Sequence, residues 1–126
     1  MDTVVTVLQV FLGLLFTMGG LAKLTVPYAN YTTLPTTGWA REFKPGHLRL
    51  LGVLEVCGAV GLLVPLVVHS LTLLTPLAAV GLALYMSGAI ATHLRRAEYG
   101  TIVGILLFFL GPALFVAYGK LVGFAV

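Results

Sequence analysis

The chain has 126 residues, of which 60% are hydrophobic and only 9% are charged, and its formal net charge is +3. Since about 25% of the residues of a soluble domain are usually charged, so few charges cannot cover the surface of a small soluble protein. The mean hydropathy of +1.09 also indicates a bilayer as solvent. The seven Lys and Arg residues are too few and too scattered for a nucleic-acid-binding surface. We therefore expect one membrane domain over residues 1–126, with the lipid bilayer as a partner and no nucleic acid.

The motif content excludes several kinds of chemistry. A single cysteine, Cys57, excludes an internal disulfide and a CxxC redox pair, and we interpret it as a packing residue. The three His and four acidic residues have no zinc or EF-hand spacing, so no metal site is expected. Any electron transfer would need a borrowed cofactor or a partner protein.

Four stretches are long and apolar enough to cross a bilayer, which takes about 20 residues. They cover approximately residues 3–24, 47–68, 70–94 and 101–124. At this length only a helix satisfies its own backbone hydrogen bonds in lipid. The predicted fold class is an all-α membrane protein, with four transmembrane helices in an antiparallel up-down bundle and a long loop between helices 1 and 2.

A signal peptide is the competing interpretation of the first span. Signal peptides begin with basic residues and end at a small-residue cleavage site. The first span instead begins with Asp2, has no Lys or Arg before its apolar run, and is followed by no A-x-A site. We therefore expect a retained helix.

The connections between the spans differ in length. Residues 25–46 form a long polar loop, in which we expect a short surface helix within residues 38–44, because long structureless loops are unusual in compact domains. The second connection, around His69 and Ser70, predicts a tight hairpin. Three prolines inside the spans should kink helices or mark their ends; these are Pro65, Pro76 and Pro112.

Basic residues collect at one end of the predicted bundle. They are Lys23, Arg41, Lys44, Arg49, Arg95 and Arg96, whereas Lys120 falls at the other end. The positive-inside rule then predicts a multi-pass protein of the cell membrane with both termini extracytoplasmic. We expect Arg95 and Arg96 to act as anchors beside anionic lipid head groups.

Small residues recur at every fourth position of the third span, at Ala79, Ala83, Ser87 and Ala91. Small residues let helix backbones approach closely in lipid. We expect this stripe to face another helix. Whether the chain also forms a homo-oligomer is left open by this pattern.

Glu55 is the most informative residue, since it lies roughly 12 Å into the second span. An acidic side chain at that depth is costly and usually faces the interior of a bundle or a wet cavity. It can be a ligand-binding or proton-handling acid, or a structural hydrogen-bonding group. Lys23 lies at the end of the first span, at the same end of the bundle. Its side chain can contact Glu55 or extend to lipid head groups.

His93 closes the third span at this end, with Met86 on its face. It can share a proton with Glu55, bind a polar part of a ligand, or contact solvent. Trp39, in the long loop, belongs either to an interfacial aromatic belt or to a lid over the polar residues. The candidate ligand-binding residues are Lys23, Glu55, Met86, His93 and Trp39, and the candidate catalytic residues are Glu55 and His93.

Five segments resemble the DoxX-like family of small four-helix integral membrane proteins, in order and spacing over nearly the whole chain. They are GLAKL (20–24), LGVLEVCGA (51–59), GLLVP (61–65), MSGA (86–89) and HLRR (93–96). The resemblance implies that the family's recurring Lys and Glu fall on Lys23 and Glu55. It also implies varied roles, since some relatives look like membrane subunits of quinone-linked oxidoreductases and others act with partner enzymes in oxidative-stress complexes or as assembly helpers for receptors.

Three functions stay open at this point. The leading one is binding of a lipophilic small molecule, with a quinone as the candidate cofactor, by a membrane subunit or partner of an oxidoreductase. The second is a membrane-embedded acid/base enzyme, an isomerase or cyclase acting on a lipophilic substrate. The third is a membrane assembly factor or chaperone.

Overall fold

The computed structural model describes residues 2–35 and 37–125, and Met1, Thr36 and Val126 lie outside the described residues. Nearly all the described residues are helical and none of them lies in a strand. The α-helices are α1 (Asp2–Thr25), α2 (Tyr28–Tyr31), α3 (Pro45–Leu63), α4 (Leu74–Arg95), α5 (Tyr99–Ile105) and α6 (Gly111–Ala125). Short 3₁₀ turns occupy Gly38–Glu42, Val64–Leu66 and His69–Leu71, and a π-helical stretch, Leu106–Leu110, joins α5 to α6.

Within this described part of the chain, four helical stretches are long and apolar enough to cross a membrane. They are Thr3–Thr25, Pro45–Leu66, Leu74–Arg95 and Tyr99–Val122. The last one combines α5, the π-helical stretch and most of α6. The prediction of an all-α membrane protein with four spans is confirmed.

The long helices enclose one apolar core. Helix α1 packs against α3 and α6, and α4 packs against the same two helices. The side chains fully enclosed between them include Leu12, Phe16, Leu62, Ala79 and Val116. The four spans therefore form a closed ring around this core.

Helices α1 and α3 approach each other closely at Gly20 and Gly52. A Cβ atom added to Gly52 would lie 2.9 Å from the carbonyl oxygen of Gly20, and one added to Gly20 would lie 2.8 Å from the carbonyl oxygen of Gly52. Residues late in α1 thus meet residues early in α3, whereas Gly13 lies beside Leu63 at the other end of the pair. This approach brings the end of α1 against the middle of α3, where Glu55 lies.

The predicted stripe of small residues on α4 is only half buried. Ala79 and Ala83 are buried, but Ser87 and Ala91 are exposed, so the prediction was wrong for these two. A four-residue repeat overshoots the 3.6-residue helical turn by about 40° per step, and the stripe therefore rotates out of the interface. The buried face continues instead through Met86.

The connection between α3 and α4 is longer than the predicted hairpin at His69 and Ser70. Helix α3 ends at Leu63 and α4 begins at Leu74, with two 3₁₀ turns between them. Pro65 lies at the end of α3, since proline has no N–H to continue the hydrogen-bond ladder. The buried amide of Gln9 donates a hydrogen bond of 2.5 Å to the carbonyl of Leu62 there.

The other two prolines lie in different settings. Pro112 lies inside the continuous fourth span, directly after the π-helical stretch, whereas Pro76 lies in the first turn of α4. A proline is tolerated in a first turn because the N–H it lacks has no partner there. The interpretation of Cys57 as a packing residue was wrong, because Cys57 is exposed on the outer face of α3.

Candidate functional site

A buried ion pair joins the end of α1 to the middle of α3. The Lys23 ammonium donates to Glu55 Oε1 at 2.5 Å. Lys23 is only 7% exposed and Glu55 only 4%, so the lysine turns inward rather than extending to lipid head groups. The predicted contact between these two residues is present.

Two further residues determine the position of the Glu55 carboxylate. The Tyr85 hydroxyl, from α4, donates to the same oxygen at 2.5 Å. Gly19, one helical turn before Lys23, leaves room for the other oxygen, because a Cβ atom there would lie 2.7 Å from Glu55 Oε2. Three helices thus fix the position of one carboxylate.

His93 does not bond to Glu55, contrary to one of the predicted partnerships. Its Nδ1 lies 2.8 Å from Glu98 Oε1, just after the end of α4. The helix ends there because Ala97 adopts a positive φ of 55° and turns the chain back toward His93. The hydrogen bond with His93, followed by the bond from Arg96, lowers the pKa of Glu98 below its ordinary value. A bond from Nδ1–H to a carboxylate leaves Nε2 of a neutral imidazole as a hydrogen-bond acceptor.

The long loop lies over this polar group. Residues 26–35 and 37–44 of that loop are called the lid below. The Trp39 ring packs edge-on against His93, with 6.0 Å between the ring centroids, and lies 5.5 Å from the Lys23 ammonium. Phe43 also packs edge-on against Trp39. These contacts favour the lid interpretation of Trp39 over the aromatic-belt interpretation. The short helix expected within residues 38–44 is the 3₁₀ turn Gly38–Glu42.

Ion pairs tie the lid to the end of α4. Glu42 lies 3.6 Å from Arg95 and 3.4 Å from Arg96, and Arg96 lies 3.0 Å from Glu98. The two arginines that we expected to act as lipid anchors therefore have partners within the chain. A continuous series of polar contacts runs from His93 through Glu98 and Arg96 to the lid.

Lys23, Glu55, Tyr85 and His93 line one cavity of about 680 Å³. Trp39 and Met86 also line it, so all five predicted ligand-binding residues share this cavity. Most other lining side chains are apolar, among them Leu15, Phe16, Leu51, Ile105 and Phe109. Among the described residues, no group of three or more His, Cys, Asp and Glu side chains could hold a metal ion. The site can donate and accept hydrogen bonds inside an apolar enclosure, which is the usual form of a small-molecule site.

The sequence analysis did not identify three residues that contribute to the site or to the packing of the bundle, namely Tyr85, Gln9 and Glu98. Tyr85 could have been found from its position on an apolar span, because a buried tyrosine hydroxyl usually has a partner. Gln9 carried a similar signal, since a polar side chain within a span normally faces the bundle interior. Glu98 had no clear signal, because its contact with His93 depends on the turn at Ala97.

Comparison with known proteins identifies the family. A profile of the DoxX-like family matches residues 7–117. Comparisons with curated proteins and with solved structures returned no match. The matched range covers all four spans apart from the first residues of the first span and the last residues of the fourth. It includes Lys23, Glu55 and His93. The chain belongs to the DoxX-like family of membrane proteins.

Proposed function

We propose that this membrane protein binds a lipophilic small molecule whose polar head group enters the cavity and contacts Lys23 and Glu55, with a quinone as the candidate ligand. The observation that carries this proposal is the convergence of Lys23, Glu55, Tyr85 and His93, from three spans, on one largely apolar cavity. A buried ion pair is expensive to desolvate and is a weak source of stability. A role in ligand binding therefore accounts for Lys23 and Glu55 better than stability alone.

The hydrogen-bonding groups match the head group of a quinone. An ammonium has three N–H donors, and the contact with Glu55 uses one of those of Lys23. The remaining donors suit a carbonyl oxygen, which is the polar atom of an oxidised quinone. Glu55 and His93 supply acceptors for the hydroxyl groups of the reduced form. The same cavity thus offers partners to both redox states.

Part of the cavity lining reaches the outer surface of the bundle. Two of its lining residues, Leu84 and Gly88, are exposed on the outer surface of α4. Leu84 is 70% exposed, so its side chain contacts the surrounding lipid. This exposure supports entry of a lipophilic molecule from the bilayer rather than through the lid.

Quinone chemistry also requires a source or an acceptor of electrons. The only cysteine, Cys57, lies on the outer face of α3 and has no second thiol with which to form a disulfide. We therefore propose that the chain acts as a membrane subunit or partner of an oxidoreductase. The partner would exchange electrons with the bound quinone, and this chain would supply the binding site.

Mass spectrometry of lipids that copurify with the protein tests this function without assuming a ligand. We expect wild type to enrich a quinone or another lipophilic small molecule over the bulk membrane lipids. Lys23→Met should reduce this enrichment, whereas the matched variant Lys120→Met, at the far end of the bundle, should keep it. Absence of any enriched small molecule across several lipid backgrounds would overturn the proposal.

A membrane-embedded acid/base enzyme is a second candidate, which the His93–Glu98 contact favours. A carboxylate that holds a histidine in one tautomer is a recurring arrangement in proton-transfer catalysis. The two candidates differ in the fate of the bound molecule. Incubation of the copurified ligand with the protein in deuterated water should leave its C–H bonds unexchanged if the protein only binds it. Deuterium incorporation that requires His93 would favour the enzyme.

A further inference from the structure

A second recess lies outside the bundle, between α3 and α4. It has a volume of about 610 Å³ and is lined only by apolar residues and Tyr85. Its walls include Leu54, Cys57, Leu74, Leu77 and Gly81. No charged side chain lines this recess, which is called the outer groove below.

The outer groove adjoins the cavity. Leu84 and Tyr85 line both. On α4, the groove takes residues from Leu74 to Tyr85 and the cavity takes residues from Leu84 to Arg95. Together they follow α4 for about 30 Å, which is about the thickness of the hydrocarbon core of a bilayer. The cavity with its polar side chains forms one half of this path, and the groove, apolar except for Tyr85, forms the other half.

Gly81 lines the outer groove and makes no close contact with another helix. A Cβ atom added to Gly81 would have no neighbouring heavy atom within 4 Å. By contrast, Cβ atoms added to Gly58 or Gly61 would strike Leu82 or Ala78, so those glycines serve the contact between α3 and α4. Contacts within the chain therefore do not require a glycine at position 81.

We propose that the outer groove binds the hydrocarbon tail of the ligand whose head group occupies the cavity. This inference rests on the proposed function and adds the class of ligand, which is a polar ring or head group with a long apolar tail. Leu84 and Tyr85 line both recesses, and one molecule that extends past these two side chains would occupy both. The apolar lining and the run of the groove along α4 match a chain that lies across the bilayer.

Two probes that share a head group test the proposal. They are decyl-ubiquinone and the same dimethoxy-methyl-benzoquinone ring without its tail. Each probe is titrated into the protein in nanodiscs, and binding is measured by the quenching of Trp39 fluorescence. Gly81→Leu adds a large apolar side chain at the wall of the outer groove, and its Cβ atom would have no neighbour within 4 Å. Gly104→Leu is the matched control, because a Cβ atom at Gly104 also has no neighbour within 4 Å and Gly104 lines neither recess.

We expect wild type and Gly104→Leu to prefer the tailed probe. Gly81→Leu should reduce that preference by about tenfold, which is the effect of removing about two methylene groups from an apolar site. It should leave the affinity for the tailless ring unchanged. Leu77→Phe, at an exposed position of the same groove, provides a second variant and should act in the same direction.

The outcomes separate this inference from the proposed function. If wild type binds neither probe in a way that depends on Lys23, the proposed function is wrong and the tail assignment falls with it. If the tailless ring binds but both groove variants keep the wild-type preference for the tailed probe, only the tail assignment is overturned. An annular lipid or a second copy of the chain would then be the occupant of the groove.

Discussion

The Lys23 ammonium lies 2.5 Å from the Glu55 carboxylate, between the end of α1 and the middle of α3. Both side chains are more than nine-tenths buried, so water does little to screen their attraction. The pair orients a carboxylate that also accepts a hydrogen bond from Tyr85 on a third span. It therefore connects the packing of the bundle to the chemistry of the cavity.

Breaking the pair from one side should destabilise the protein strongly. Glu55→Leu leaves a buried ammonium without its acceptor, and we expect the free energy of unfolding to fall by about 3–5 kcal/mol. The double variant Lys23→Met with Glu55→Leu replaces both charges by apolar groups and should recover most of this loss. The free energies of unfolding of the single and the double variant are measured in detergent, with Lys120→Met as the control. A double variant as unstable as Glu55→Leu would contradict this account of the pair.

Gly19→Ala should reduce ligand binding more than stability. The added methyl group would lie 2.7 Å from Glu55 Oε2, and the end of a side chain can shift where a backbone cannot. We expect a displaced carboxylate and roughly tenfold weaker binding, since a hydrogen bond to a charged group contributes about 1.5–3 kcal/mol. In Gly104→Ala the methyl group meets no neighbour, and binding should be unchanged. Equal affinities for wild type and Gly19→Ala would show that the position of Glu55 does not matter for binding.

Acid should loosen the contact between His93 and Glu98. The hydrogen bond with His93 and the neighbouring Arg96 lower the pKa of Glu98 below its ordinary value of 4.5. A carboxyl group with a lowered pKa contributes stability above its ordinary value, and this contribution is lost as the pH falls through the lowered pKa. Because the Trp39 ring packs on His93, its fluorescence should change over this acid range in wild type and change less in Glu98→Gln. Superimposable acid titrations of the two proteins would contradict the prediction.

The positive-inside rule predicts that the lid faces the cytoplasm and that both termini lie outside the cell. Thr33 is exposed in the lid, and His69 is exposed in the connection between α3 and α4. In a Cys57→Ser background, an impermeant thiol reagent added to intact cells should label His69→Cys and spare Thr33→Cys. Labelling of Thr33→Cys in intact cells would reverse the predicted orientation.

The sequence predicted the four spans, and it gave contact with Glu55 as one of two interpretations of Lys23. Helices of about 20 apolar residues are required by lipid, and a buried acid on one helix requires a partner on another. The glycines of GLAKL and LGVLEVCGA allowed the close approach that joins α1 and α3. These features depend on residue type and spacing, which are visible in one sequence.

The sequence-based predictions were wrong where a contact depends on the rotation of a helix about its axis or on the residue at which the helix ends. Ser87 followed a four-residue pattern that drifts away from the true helical repeat. The partner of His93 depended on the turn at Ala97, which returns Glu98 to the end of α4. The connection after α3 depended on where Pro65 ends that helix. Single-sequence patterns place such boundaries only within a few residues.

Fluorescence of Trp39 offers the most direct test of the ligand site. Trp39 is the only tryptophan of the chain, and its ring lies 5.5 Å from the Lys23 ammonium. Decyl-ubiquinone should quench wild type in a saturable way, with at least about tenfold weaker binding to Glu55→Gln, which loses the charge but keeps the shape. Tyr118→Phe, at a position 63% exposed on α6, should behave as wild type. Quenching that does not saturate, or that is identical in wild type and Glu55→Gln, would contradict the proposal that this cavity binds the head group of a lipophilic ligand.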